Sequence, residues 1–155
     1  DLDHTLRRYS EKVSLFELKE GYKVEEKLNR VCKGLHFSDE FLHQDFNLLS
    51  GGEKTTVTLG KLLIDMPDVL LLDEPTNHLD MESIEWLEDY LKTYKGIVIV
   101  VSHDRYFLDN VVNKIIEIED KESDTFIGNY SSYLTQKDEK LRIQLEDYME
   151  QRLGG

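Results

Sequence analysis

A single cysteine, Cys32, leaves no partner for a disulfide and no set of thiolates for a zinc site. Bases are also in short supply. The 19 Lys and Arg against 32 Asp and Glu give a formal charge of −13, so bulk charge does not favour a basic stripe for nucleic-acid phosphates. Long apolar runs are missing. The longest, residues 69–72 and Ile97–Val101, fall far short of the ~18 residues that a membrane span needs. The chain does not open on a basic segment followed by an apolar one, so no secretory signal is expected. What is present is 155 residues with 39% hydrophobic and 10% aromatic content, enough for a packed core and too apolar for a disordered acidic tail. The expectation is an acidic, soluble, reduced, cytoplasmic globular protein.

The charge is uneven. Residues 1–48 carry a net of −2, residues 49–128 a net of −10 and residues 129–155 a net of −1. The first stretch reads as helical. Leu2, Leu6, Tyr9, Val13 and Phe16 recur at the spacing of one helix face, and Gly21 breaks the run. Val24, Leu28, Val31 and Leu35 make a second face, with Gly34 suited to a C-terminal cap. Ser38-Asp39-Glu40 suits the start of a third, short helix.

The middle stretch alternates. Ser50-Gly51-Gly52-Glu53 fits a capping box opening a helix over 49–66, with Leu59, Leu62, Leu63 and Met66 as its apolar face and Pro67 at its end. The aliphatic run ending in Asp73 predicts a strand buried on both faces. Asp80 can cap a helix carrying Ile84, Leu87 and Leu91, closed by Lys95-Gly96, and Ile97–Val101 is a second buried strand. Strand, helix and strand in this order predict a βαβ unit with parallel pairing. A short helix over 106–111 and two modest strands, Lys114–Glu119 and residues 124–127, complete the stretch. Residues 130–153 lack Pro and Gly, and Leu134, Leu141, Leu145 and Tyr148 form a seam that needs a partner helix.

Three features carry chemistry. Asp73-Glu74 ends a predicted parallel strand, the edge at which α/β sheets bind ligands. Adjacent carboxylates alternate in direction, so one can hold a divalent ion while the other faces a water as base. Pro75 adds a rigid turn, and Asp80 brings another acid toward the same place. His103, preceded by Ser102, follows the second strand and shares the rim with Asp73 and Glu74. Ser50-Gly51-Gly52 leaves open N–H groups at a helix start, where the helix dipole favours an anion. Gly52-Glu53-Lys54-Thr55 is a decoy for the Walker A loop, which needs Gly directly before Lys, and Gly60-Lys61-Leu62 lacks the Ser or Thr that should follow. No G-x-x-x-x-G-K-[ST] occurs anywhere in the chain.

Together these pieces resemble ABC-type ATPases. Leu49-Ser50-Gly51-Gly52-Glu53 resembles their signature motif, residues 70–80 their Walker B strand and D-loop, and Ser102-His103-Asp104 their switch histidine. Asn77-His78-Leu79-Asp80 and residues 102–109 are similar to the ABC-F branch, which has two ATPase domains on one chain and no membrane part. Residues 128–133 and the polar helix after them resemble the end of the first ATPase domain and the start of the linker.

The resemblance implies the C-terminal part of an α/β, P-loop NTPase-type ABC core. Residues 1–48 would be a partial helical subdomain, 49–128 the ATPase core and 129–155 the start of the inter-domain linker. It implies ATP and Mg²⁺ as ligands, with Asp73 binding Mg²⁺ through water, Glu74 as base and His103 on the γ-phosphate. Ser50, Gly51, Gly52 and Glu53, with Asp80, would serve a nucleotide held by the opposite ATPase domain. The partners implied are that second domain and the ribosome or tRNA through the linker, in translation or antibiotic protection.

The expected fragment lacks Walker A and by itself hydrolyses no ATP. Two departures from the resemblance stand out: Glu53 replaces the commoner Gln, and Thr56 stands where an Arg is usual, which puts in doubt an ion pair expected there. Two other functions stay open. One is the ATPase subunit of a membrane transporter. The other is a metal-dependent phosphohydrolase using Asp73, Glu74, His78, Asp80 and His103, in which Ser50-Gly51-Gly52 would have no purpose.

Overall fold

The computed structural model describes residues 2–18 and 21–153. In chain order it contains α1 (Leu2–Leu18), α2 (Gly21–Gly34), α3 (Asp39–Leu42), a 3₁₀ turn (Phe46–Leu48), α4 (Gly51–Asp65), β1 (Val69–Asp73), α5 (Met81–Lys92), β2 (Ile97–Val101), α6 (Arg105–Val111), β3 (Lys114–Glu119), β4 (Glu122–Ile127) and α7 (Tyr130–Leu153). Helix starts follow the side chains that can cap them. Ser38, Ser50, Asp80 and Asp104 each accept from an N–H three residues on, at the heads of α3, α4, α5 and α6. At α4 the capping box is complete, with Glu53 accepting in return from the Ser50 N–H at 2.7 Å.

The core lies where α2, α4, α5 and α6 meet one face of a parallel pair. Leu59 and Leu63 of α4, Leu70 and Leu72 of β1, Leu87 and Leu91 of α5, Phe107 of α6 and Val31 of α2 form one cluster. The β1–β2 register runs from Val69 opposite Ile97 to Asp73 opposite Val101, so both strands end on one rim. β3 and β4 form a separate antiparallel hairpin. The first turns of α7 seat on it through Phe126 against Tyr133 at 5.0 Å between ring centres, and through ion pairs from Lys137 to Glu117 and from Lys140 to Asp124.

Three expectations change. β1 and β2 are not buried on both faces. Leu70 and Leu72 are buried, whereas Leu71 is 66% and Ile97 62% exposed, because α4 and α5 cover one face and no described element packs on the other. Gly34 does not cap α2. It remains helical, and the left-handed residue falls at His36, φ 55°. Gly34 instead allows a close approach, since a Cβ there would lie 2.0 Å from the Trp86 ring of α5. α5 stops at Lys92, with Thr93 closing it ahead of Lys95-Gly96.

The apolar seam of α7, expected to need a partner helix, is half open: Leu134, Leu141, Leu145 and Tyr148 are 47%, 52%, 55% and 55% exposed. On α1, Leu6 and Tyr9 are likewise exposed, and the Leu2 side chain lies outside the described residues. The break expected around Gly21 coincides with residues 19–20, also outside them.

Candidate functional site

The rim where β1 and β2 end brings Glu74, Ser102 and His103 together. The Glu74 N–H donates to the Val101 carbonyl at 2.7 Å, which extends the strand pairing one residue beyond Asp73. Its backbone then turns left-handed, φ 46°. For a non-glycine residue this is a sparsely populated conformation, at a cost of ~1–3 kcal/mol, and it turns the chain out of the strand at the start of the Pro75 turn. The carboxylate accepts from the His103 N–H at 3.3 Å and the Ser102 hydroxyl at 3.4 Å, and His103 Nε2 stands 3.6 Å from Glu74 Oε1. The His103 ring is otherwise fully open at 99% exposure, whereas the Glu74 side chain is only 25% exposed. A shielded carboxylate beside an exposed imidazole can accept a proton from a water and place a hydrogen-bond donor on an incoming anion.

Asp73 closes β1 with an exposed carboxylate that makes no hydrogen bond or ion pair among the described residues. It is an uncommitted hard oxygen donor at the strand end.

The second group is the head of α4. The Glu53 N–H is taken by the Ser50 hydroxyl at 3.3 Å and the Lys54 N–H by the Ser50 carbonyl at 3.0 Å, while the Gly51 and Gly52 N–H groups find no acceptor among the described residues. A Cβ on Gly51 would meet nothing within 4 Å, and one on Gly52 would sit 3.0 Å from the His78 ring. The side of the helix start at Gly51 is therefore open, while His78 of the turn after β1 lies against Gly52. Hydrogen bonds from the Ser50 hydroxyl and then its N–H hold Glu53 below the usual carboxylate range, so it stays charged as the capping partner.

Asp80 goes elsewhere than expected. It caps α5 through the Ser83 N–H at 2.7 Å and takes the His36 ring at 3.1 Å, while the other His36 nitrogen is 3.4 Å from Glu82. The Ser83 N–H first, then His36, hold the Asp80 carboxyl down to about 2. The cluster of Asp73, Glu74, His78, Asp80 and His103 that a metallohydrolase would need is thus split: Asp80 is committed to the end of α2 and His78 to α4. No group of three or more His, Cys, Asp or Glu among the described residues is placed to hold a metal ion. His36 was not legible as a site neighbour. It lies 44 residues from Asp80, in a loop with no motif around it.

Thr56, in the position where the resemblance expects Arg, donates its hydroxyl to the Gly52 carbonyl at 3.1 Å, as Thr55 does to Gly51 and Thr58 to Lys54. It brings no cation to the site. A cavity beside it, of about 300 Å³, is lined by Thr55, Thr56, Leu71, Asp73 and Asn77 among others.

Two family models, both described as ABC transporter, match residues 3–77 and 116–153. YdiF of Bacillus subtilis (strain 168) is 45% identical over 152 residues, which are 98% of this chain and 24% of that protein. The energy-dependent translational throttle protein EttA of Haemophilus influenzae is 42% identical over 141 residues, 91% of this chain and 25% of that protein. EttA of Mycobacterium tuberculosis is 55% identical over 96 residues, 62% of this chain and 17% of that protein. The chain spans about a quarter of the length of the first two relatives. Among solved structures, the dimeric ABC transporter cassette MJ0796 superposes with a TM-score of 0.52 at 26% identity, over 66% of this chain and 47% of that one. The protein cbiO1 from Clostridium perfringens, part of the ABC transporter complex cbiONQ, superposes with a TM-score of 0.53 over 81% of this chain and 51% of that one. At 21% identity, that likeness is one of fold.

Proposed function

The chain belongs to the ABC family of ATPases, with relatives in the ABC-F branch, and from that premise we propose that it is part of a cytoplasmic ABC-F protein that hydrolyses ATP between two cassette domains and acts on the ribosome in translation. The observation that carries the ATPase part is the Glu74–His103 pair on the strand-end rim beside the uncommitted Asp73. The ribosome part is supported by the relatives named as translational throttles. Antibiotic protection, also implied by the sequence resemblance, has no counterpart in these names. A transporter subunit is the second reading; no helix among the described residues is long and apolar enough to cross a membrane.

Asp73 fits Mg²⁺. Its carboxylate is hard, exposed and unpaired, and this ion characteristically takes one or two carboxylates and leaves its remaining positions to water and phosphate oxygens. When bound, Mg²⁺ neutralises charge on the phosphate oxygens. Glu74 takes the proton of the attacking water and orients it. The Ser102 hydroxyl and His103 N–H keep the Glu74 carboxylate in place, and the exposed His103 ring donates to the γ-phosphate. Phosphoryl transfer needs little covalent help from a protein, so these positioning and charge effects supply most of the acceleration.

The head of α4 serves a second nucleotide. The unpaired N–H groups of Gly51 and Gly52, the Ser50 hydroxyl and the capping Glu53 present a helix N-terminus to the phosphates of ATP bound to the opposite cassette. By the resemblance, Asp80 would face that same interface from the start of α5, which it caps. The exposed aliphatic face of β1 and β2 packs against the rest of the same cassette in the longer protein, and α7 leads into the linker between cassettes.

The test is Glu74→Gln in the full-length protein. Hydrolysis at the site using Glu74 should fall by at least about 100-fold, and ATP should be retained through gel filtration. Unchanged turnover with no retained ATP would remove Glu74 from this role.

A further inference from the structure

Away from the strand-end rim, a cleft of about 360 Å³ opens between α2 and the C-terminal ends of α4 and α5. Three cations stand around it, Lys27 and Arg30 from α2 and Lys95 from beyond α5, and no acid lines it. In a chain of net −13 that is an unusual concentration of one sign. Tyr90 of α5 and Tyr94 just beyond it form its wall, their rings following Trp86 in a tilted row at 5.3 and 6.2 Å between successive centres.

Cations beside helix C-termini commonly serve the free carbonyls there. Here that work is done by other groups. The Tyr90 hydroxyl donates to the Leu63 carbonyl at 2.7 Å and the Tyr94 hydroxyl to the Pro67 carbonyl at 2.6 Å. The Met66 N–H closes α4 onto the Leu62 carbonyl, and the Thr93 hydroxyl donates to the Tyr90 carbonyl at 3.0 Å. The side chains of Lys27, Arg30 and Lys95 make no ion pair and no hydrogen bond with any described residue. Arg30 instead lies over the Tyr90 ring at 5.3 Å, which restrains its guanidinium and leaves its N–H groups free for an outside acceptor.

We propose that this cleft is a docking site for the phosphodiester backbone of RNA. A restrained guanidinium matches phosphate oxygens two at a time. The cations span two elements rather than one point, as successive phosphates of a strand require, and nothing in the cleft offers a pattern of donors and acceptors for reading bases. It is therefore a positioning contact without sequence preference. The proposal deepens the ribosome reading above and rests on it for the identity of the polyanion.

The experiment uses the full-length protein and a fluorescent 20-nucleotide oligouridine, followed by anisotropy between 50 and 200 mM KCl. For Lys27→Ala/Arg30→Ala/Lys95→Ala we expect affinity to fall at least about tenfold, and the slope of log affinity against log salt to shrink by about 2 for three lost contacts to a single strand. Lys27→Ala/Lys95→Ala keeps Arg30 on Tyr90, guards against loss of folding and should shrink the slope by about 1.4. Lys121→Ala, on the β3–β4 turn, should leave both unchanged. Unchanged affinity and slope in both cleft variants would overturn the proposal. So would displacement of the RNA by AMP or pyrophosphate with affinity equal to the oligonucleotide's, which would mark a small-anion pocket. Ribosome cosedimentation separates the two levels. If wild type and cleft variants pellet alike at every salt concentration, the cleft is refuted and the ribosome reading stands. If wild type does not pellet yet binds oligonucleotide through the cleft, the ribosome reading alone is refuted.

Discussion

Gly34→Ala sets two physical effects of opposite sign against each other. Gly34 is helical, so intrinsic propensity alone would make Ala there more stable by ~1 kcal/mol. The added methyl carbon, however, would lie 2.0 Å from Cδ2 and Cε2 of Trp86 and 2.5 Å from its Nε1. Ordinary carbon contacts are ~3.5–4.0 Å, so the indole must retreat by about 1.5 Å. It has little room to do so, because the Tyr90 ring stands at 5.3 Å and its hydroxyl is tied to Leu63. Overpacking of this kind costs ~1–3 kcal/mol and should outweigh propensity, leaving a net loss of about 1 to 2 kcal/mol once the helix gain is set against the upper part of that range.

Trp86 is the only tryptophan, so its emission reports the α2–α5 contact directly. For the 155-residue chain we expect red-shifted emission, a lower urea midpoint and a Tm lower by about 2–4 °C for each kcal/mol lost. Trp86→Leu should absorb the clash, so that the double variant loses less than the two single variants summed. A Gly34→Ala protein as stable as wild type, with unchanged emission, would refute the reasoning.

Asp80 predicts a stability change confined to acid. Its folded pKa is depressed, so its contribution is fully present above the ordinary carboxylate value of ~3.9 and is lost as pH falls through about 2. The stability gap between wild type and Asp80→Asn should hold constant above pH ~4 and close below it; an Asp80 carboxyl titrating near the ordinary value by NMR would contradict this. Lys137→Met should free the start of α7 from the hairpin, since Lys137 pairs with Glu117 and Glu119 and lies 5.9 Å from the Tyr133 ring centre. Faster amide exchange over residues 130–140 is the expected result, and unchanged protection would show that the aromatic contacts suffice. The isolated 155 residues should show no measurable ATP turnover, as no phosphate loop is present in them; turnover near that of full-length relatives would contradict the composite-site reading.

Much of this was legible in the sequence because the deciding interactions are local. Capping at Ser50 and Asp80 works over three residues, and two aliphatic runs flanking an amphipathic helix leave few arrangements other than a parallel pair. The meeting of Glu74 with His103 follows from that pair, because the register sets Asp73 opposite Val101. Contacts across the chain were not legible. That Gly34 is spent on Trp86 rather than on a cap, and that Asp80 turns to His36 rather than to the rim, depend on how α2 lies against α5. Burial misled for a related reason. An all-aliphatic strand records that both its faces are apolar, but which elements of these residues cover them is a property of the packed structure, and here only one face is covered.

Net charge misleads in the same way. The −13 gives the sign of the distant field, which falls off over a Debye length of ~8 Å at physiological salt. A contact is decided within that distance, by which charges are already spent. Many acids of the core are committed: Asp80 and Asp104 to helix caps, Glu74 to the rim, Glu117 to Lys137. Lys27, Arg30 and Lys95 are not, and they share one cleft. The acidic bulk then has a use of its own, since the −10 carried by residues 49–128 repels polyanions around the cleft and so favours approach of an RNA strand through its cations. If that is the arrangement, neutralising acids on the opposite surface should strengthen RNA binding without changing the number of contacts: affinity rises while the loss caused by the cleft variant stays the same factor. A cleft variant whose defect vanishes once those acids are removed would show that bulk charge, and not the cleft, had been setting the binding.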